Sequence, residues 1–224
     1  MNARGFRWLA ACIVATGLVL AQRGISEETY EAFPPVIHPD QGYVIYSHGK
    51  IVEGGDSRPV HPDYGVYDFP AVKKALFDRA KFNLIAPHRP RDENGAIYVA
   101  RLESWVRRLV AGGVVPSRIA LVGFSRGAQL TAMAFSNLRD LGINTVLMAV
   151  CSDGDFTASP SVTLGGRLLS IYETTGALGS CERLATRSTL SSSEEIAIST
   201  GKAHGAFYLP RLEWIGPLMR WLAP

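Results

Sequence analysis

Two residues in this chain have the types and settings needed for nucleophilic chemistry. Ser125 stands in "LVGFSRGAQL", the centre of a glycine, any residue, serine, any residue, glycine pattern that directly follows an apolar run. His204 stands in "GKAHGAFY", after the last apolar run, and several carboxylates lie between the two in sequence. A serine hydroxyl is a weak nucleophile until a base takes its proton, and an imidazole titrates near neutrality. Together these residue types would attack an acyl group, with backbone amides receiving the charge that develops on the carbonyl oxygen.

Such residues work only if the chain holds them together, so the elements between them matter. Short runs rich in Val, Ile and Leu recur as "GYVIYSH", "FNLIAP", "RIALVGF", "NTVLMAV", "RLLSIYE" and "EEIAIST". Each is near-continuously apolar, as strands buried on both faces must be. Stretches with helical spacing separate them. In "YDFPAVKKALFDRA" the repeat falls on Val72, Leu76 and Arg79-Ala80. In "AIYVARLESWVRRLVAGG" it places Ile97, Leu102, Trp105 and Leu109 on one side, leaving Arg101, Arg107 and Arg108 as a solvated face. "GAQLTAMAFSNLRDLG" reads as a helix stopped by a left-handed Gly142, and "YLPRLEWIGPLMRWLAP" as a closing helix broken or bent near Pro217. This alternation predicts an α/β fold of three layers: a mostly parallel sheet of about six strands with helices on both faces.

In such sheets ligands sit beyond the carboxyl ends of the strands, so the junctions after each run are the ones to inspect. Ser125 falls on a strand-to-helix turn, where flanking glycines are needed because side chains would collide with neighbouring elements. The Arg126 amide would there face a developing oxyanion. "SHGK" follows an earlier strand, and Lys50 is the natural source of a second amide, with His48 shaping the loop. Of the five histidines only His204 follows the last strand and precedes the final helix, the place for a base.

With "SHGK", "GFSRG" and "GKAHGAFY" in that order on the expected strands, the chain from Gln41 to its C-terminus resembles the α/β-hydrolase family. The resemblance implies a serine nucleophile, Ser125, a histidine base, His204, an acid between them in sequence and an oxyanion hole of backbone amides. Many family members carry an aspartate about three residues past the strand that "RLLSIYE" matches, and here that place falls to Gly176. Glu173, at the strand's end, is the nearest carboxylate and long enough to reach an imidazole N–H. Asp153 is the alternative acid, with Asp155 and Glu182 as further rivals. The function implied is hydrolysis of an ester or related acyl bond by a carboxylic ester hydrolase acting on a small-molecule acyl substrate. A peptidase or thioesterase would use the same constellation, and a catalytically silent binding protein could keep the same fold. No metal or organic cofactor is required.

The rest of the chain bounds these expectations. At 224 residues, 47% hydrophobic and 19% charged, it suits one well-buried domain. Residues 1–21 read as a secretory signal peptide: "MNARGFR" carries two arginines, "WLAACIVATGLVLA" has no charge, and Val19 and Ala21 suit a signal peptidase. A membrane anchor is disfavoured because only 15 residues separate Arg7 from Arg23. A lipid-anchored form at Cys12 is disfavoured because most of the apolar stretch follows that cysteine. Removing the leader takes Lys and Arg from 23 to 21 against 20 acids, so neither nucleic acid nor an anionic surface is suggested as partner. The expected product is exported, with no stable membrane insertion.

Residues 22–40 read as an irregular lead-in and 41–224 as the domain, without room for a cap. Cys151 and Cys181, the pair left after cleavage, read as a disulfide, with two buried thiols as the alternative. "IVEGGDSRPVHPDYGVYDF" either lies over the site with Tyr64 and Tyr67 or is a surface loop, and His88 and Arg89 read as part of a turn with Pro87 and Pro90.

Overall fold

A computed structural model describes residues 28–79, 81–152 and 161–223. The expected leader, Asp153 and Asp155 lie outside the described residues. In chain order the strands are β1 (Thr29–Tyr30), β2 (Gly42–Ser47), β3 (Val60–His61), β4 (Gly65–Val66), β5 (Phe82–Ile85), β6 (Ile119–Phe124), β7 (Asn144–Met148), β8 (Arg167–Glu173) and β9 (Ser192–Ile198). The helices are α1 (Phe69–Asp78), α2 (Gly95–Ala111), α3 (Arg126–Asn137), α4 (Glu182–Thr186) and α5 (Leu212–Leu222).

The main sheet has the order β1-β5-β2-β6-β7-β8-β9 and every pairing is parallel. The chain steps outward from β2 to β5, then back past β2 to β6, and this reversal places the next helix on the opposite face, as crossovers of one hand require. Helices α2 and α3 pack together over one face, while α1 lies beside α5 on the other. Each face has its own apolar core, one with Leu102, Trp105 and Phe135, the other with Phe69, Leu76 and Trp214. The six residues of β6 are all buried, because this central strand is covered on both sides.

Local chemistry sets the helix boundaries. Asp68 accepts from the Ala71 amide at 2.9 Å to cap α1, and Asn94 accepts from Ala96 at 2.9 Å and Ile97 at 3.2 Å to cap α2. Gly142, with φ of 69°, is the left-handed stop expected after α3.

Five expectations change. The lead-in contributes β1, which pairs with β5, and its Phe33 and Ile37 pack against the core, so the sheet has seven strands. The strand of "EEIAIST" starts earlier and lies at the sheet edge, where its serines and glutamates face solvent rather than a second layer. The buried stripe of α2 runs through Tyr98, Leu102, Trp105 and Leu109, while Ile97, in the first turn, is 60% exposed. On α1 the core face is Phe69, Val72 and Leu76, and Arg79 is exposed. Helix α5 begins only at Leu212 and runs through Pro217 without a break.

Cys151 and Cys181 are disulfide-bonded, with Cα atoms 5.2 Å apart. The bond joins the segment after β7 to the residue that opens α4, and the Gly179 amide donates to the Cys151 carbonyl at 2.9 Å beside it. Among the described residues no helix is long and apolar enough to cross a membrane. Closing a loop with a sequence separation of 30 limits the unfolded chain by about 3 kcal/mol. A Cys151→Ala/Cys181→Ala double variant is therefore expected to lose about 3 kcal/mol of unfolding free energy in urea titration. An unchanged midpoint would contradict that role.

Candidate active site

The turn after β6 is where sequence and geometry meet most closely. Ser125 has φ 54° and ψ −123°, a conformation unfavourable for a residue with a side chain, and its amide donates to the Met148 carbonyl at 3.0 Å. Helix α3 begins at the next residue. A Cβ on Gly127 would lie 2.0 Å from the Ser47 carbonyl oxygen, and one on Gly123 would lie 2.5 Å from Ala128 Cα. The start of α3 thus rests on the end of β2 with no space for a methyl group, which explains both flanking glycines.

His204 is carried by a short 3-10 turn, Ala203–Phe207, after β9. Ala203 has φ 46° and turns the chain just before it. The His204 Nε2 lies 2.9 Å from Ser125 Oγ. Its ring packs 4.8 Å from Phe124 between centroids and lies 6.1 Å from Tyr64. Burial, followed by the charge of nearby His61, lowers its pKa to about 4. At neutral pH the ring is uncharged, and for Nε2 to accept the serine proton, Nδ1 must carry the hydrogen.

Glu173 ends β8 and is only 2% exposed. Its Oε2 accepts from the Thr175 amide at 2.7 Å and hydroxyl at 2.6 Å, and its Oε1 from the amides of Thr200 at 2.8 Å and Gly201 at 3.0 Å. Burial acts to raise its pKa, but these hydrogen bonds outweigh that and hold it at about 2, so the carboxylate is charged. None of its bonds among the described residues comes from His204. It grips the loop that leads into His204 instead. Gly176 shares with Glu173, Ala203 and His204 a cavity of about 10 Å³. A Cβ on Gly176 would stand 3.7 Å from the Ala203 carbonyl carbon, so the position expected to carry an acid does lie beside the histidine loop. Asp153 is not among the described residues, and Glu182 begins α4 on the surface.

Lys50 opens a 3-10 turn, Lys50–Val52, and Arg126 opens α3, so each contributes an amide from a first helical position that has no intrahelical acceptor. Completely buried His48 fixes the first of these loops. Its Nε2 accepts from the Arg89 amide at 2.9 Å, which leaves the proton on Nδ1 to donate to the Gly49 carbonyl at 2.8 Å. Burial, followed by the charge of Arg89, lowers its pKa to about 2, so it stays neutral and serves the loop. Arg89 does more than form the turn expected. It is 1% exposed, its guanidinium donates to the His48 carbonyl, and it stacks 4.9 Å over Tyr98. The signal available in sequence was an arginine four residues past the end of an apolar strand.

The long irregular segment lies over the site. It forms the β3–β4 hairpin, in which His61 and Tyr64 stack at 4.5 Å, and Tyr64 packs against Tyr208 at 5.8 Å. Tyr67 is instead core: it is fully buried, hydrogen-bonded to the Tyr46 hydroxyl at 2.9 Å. The hairpin, the Lys50 turn and the Ser125 turn enclose an open pocket of about 580 Å³. Its walls mix apolar Ile51, Phe124 and Tyr208 with charged Lys50, Asp56 and Arg91. Among the described residues no group of three or more His, Cys, Asp or Glu is placed to hold a metal.

A serine on a positive-φ turn between a central parallel strand and a helix, facing a histidine beyond the last strand, defines an α/β architecture built around an exposed hydroxyl. Solved structures share the fold over most of their length. A predicted CIB-like hydrolase from Thermoplasma acidophilum superposes with a TM-score of 0.56 at 14% identity, covering 84% of this chain and 88% of that one. A hyperthermophilic esterase from the archaeon Pyrobaculum calidifontis gives 0.58 at 16% identity, covering 84% and 78%. An esterase from the bacterial hormone-sensitive lipase family gives 0.56 at 19% identity, covering 85% and 78%. The chain has the α/β-hydrolase fold. No family model matches it, and no curated protein does.

The glycine geometry yields a stability prediction. Gly127→Ala forces backbone apart and is expected to cost about 3 kcal/mol or more, whereas Gly55→Ala, whose Cβ would meet nothing within 4 Å, should change stability by less than about 0.5 kcal/mol. Equal thermal midpoints for the two variants would contradict the close approach.

Proposed function

We propose that this chain is an exported serine hydrolase that cleaves an ester or related acyl bond of a small molecule through an acyl-enzyme. The observation that carries the proposal is Ser125 Oγ held 2.9 Å from His204 Nε2 on a strained turn that opens into the pocket. Esterases among the solved structures of the same fold support the ester as substrate class. The disulfide between Cys151 and Cys181 supports export, since such bonds persist in oxidising compartments.

In this mechanism Ser125 attacks the carbonyl carbon while His204 Nε2 takes its proton, and the electron pair of the C=O bond moves to oxygen. The amides of Lys50 and Arg126 donate to that oxyanion. His204 then returns the proton to the departing alcohol, and water repeats the sequence on the acyl-enzyme. Glu173 is the carboxylate that serves His204, acting through the Thr200–Gly201 backbone that it holds.

A fluorophosphonate probe should label the wild-type protein and leave Ser125→Ala unlabelled; a folded wild type that stays unlabelled would contradict the proposal. The pH dependence has a definite sign. His204 must be neutral to act, and its pKa is lowered to about 4, so kcat/KM should be flat from neutrality downward and fall only as pH drops through that value. A half-maximum near the ordinary histidine value would contradict the burial argument.

Glu173→Gln sets an amide NH₂ against donors that now bind a carboxylate. It should lower kcat by roughly ten- to a hundredfold, a smaller loss than removal of a directly bonded acid causes. Asp153→Asn should retain near-normal activity, and a larger loss there would transfer the role to Asp153.

A further inference from the structure

Three charged side chains converge at the pocket wall, which Glu53 helps to line. The side chains of Arg89 and Glu53 are 0% and 5% accessible, and that of Arg126 is 35% accessible. Glu53 Oε1 lies 3.3 Å from Arg89 Nη2 and 3.4 Å from Arg126 Nε, so one carboxylate oxygen is shared by two guanidinium groups. Burying such a cluster is costly, and apolar residues of similar volume often stabilise a core as well or better. Its connections suggest what it does.

Arg89 grips the peptide that leads into Lys50, through its side chain to the His48 carbonyl and its amide to His48 Nε2 at 2.9 Å. The Glu53 amide closes the 3-10 turn by donating to the Lys50 carbonyl at 2.9 Å, and the Gly54 amide donates to the Arg89 carbonyl at 3.0 Å. On the other side, Glu53 holds the side chain of Arg126, the residue that follows Ser125. The two loops that offer oxyanion amides come from different strands, β2 and β6, and this carboxylate spans them.

We infer that Glu53 and Arg89 are positioning residues for the oxyanion hole, tying the Lys50 and Arg126 amides into one rigid unit. With two guanidinium groups facing one carboxylate, the cluster carries a net positive charge beside these loops, which favours the negative charge that builds in the transition state. This inference rests on the serine hydrolase reading.

The test uses the full-length protein with p-nitrophenyl acetate and the fluorophosphonate probe. Glu53→Gln preserves shape and removes the shared charge. It should lower kcat and labelling rate by about tenfold or more, with KM within about twofold and near-UV circular dichroism unchanged, because the loss falls on the transition state. Arg89→Met should lose at least as much, and Arg89→Lys should recover part of it. If Arg89→Met does not fold, Glu53→Gln decides. Wild-type kcat in folded Glu53→Gln, or a loss confined to KM, would overturn the inference while leaving the hydrolase reading intact. A wild type that is neither labelled nor active would overturn both.

Discussion

The first turn of α3 and the end of β2 approach each other backbone to backbone, with no room for a side chain between them. At Gly127 a Cβ would stand 2.0 Å from the Ser47 carbonyl oxygen and 2.5 Å from that of His48. Because nothing larger than glycine fits, α3 can begin immediately after β6, and Ser125 is forced into the positive-φ turn that lifts its hydroxyl out of the sheet. The same approach brings the turn beside the His48–Lys50 loop. The proposed nucleophile and oxyanion amides are therefore set by one steric fact.

Strain is concentrated around this point. Among the described residues, the non-glycine positions with positive φ are Asp92, Ser125, Ala149 and Ala203. Asp92 and Ser125 line the pocket, while Ala149 and Ala203 border the cavity behind His204. Each such conformation costs on the order of 1–3 kcal/mol and persists only when the surroundings determine it. Here the surroundings are strands buried on both faces and a loop clamped by Glu173. Electrostatics follow a matching division: His204 is desolvated and neutral, whereas Glu173, the more buried of the two, keeps its charge because several donors converge on it.

What the sequence made legible were features with a local cause. Apolar runs fixed the central strands, Gly123 and Gly127 marked the tight turn, and the place of His204 after the last strand singled it out from the other histidines. Features with distant causes were not legible. Glu173 meets its donors at Thr200 and Gly201, 27 and 28 residues away, and no local pattern encodes that. Arg89 looked like a turn residue because its partner His48 lies 41 residues earlier. The polar face of β9 reflects its place at the sheet edge, which its reading as a near-continuously apolar run does not reveal. The sequence reading places Ile97 on the apolar side of α2, yet it precedes Tyr98 by one residue and so lies about 100° around the helix from the buried stripe.

The central claim is a covalent bond at Ser125, and acid quenching during turnover of p-nitrophenyl acetate followed by peptide mass spectrometry examines it directly. The account predicts one added acetyl group on the peptide containing Ser125, and none in His204→Ala quenched at the same early time. Turnover without any acetylated peptide, or acetylation at a different residue, would contradict it.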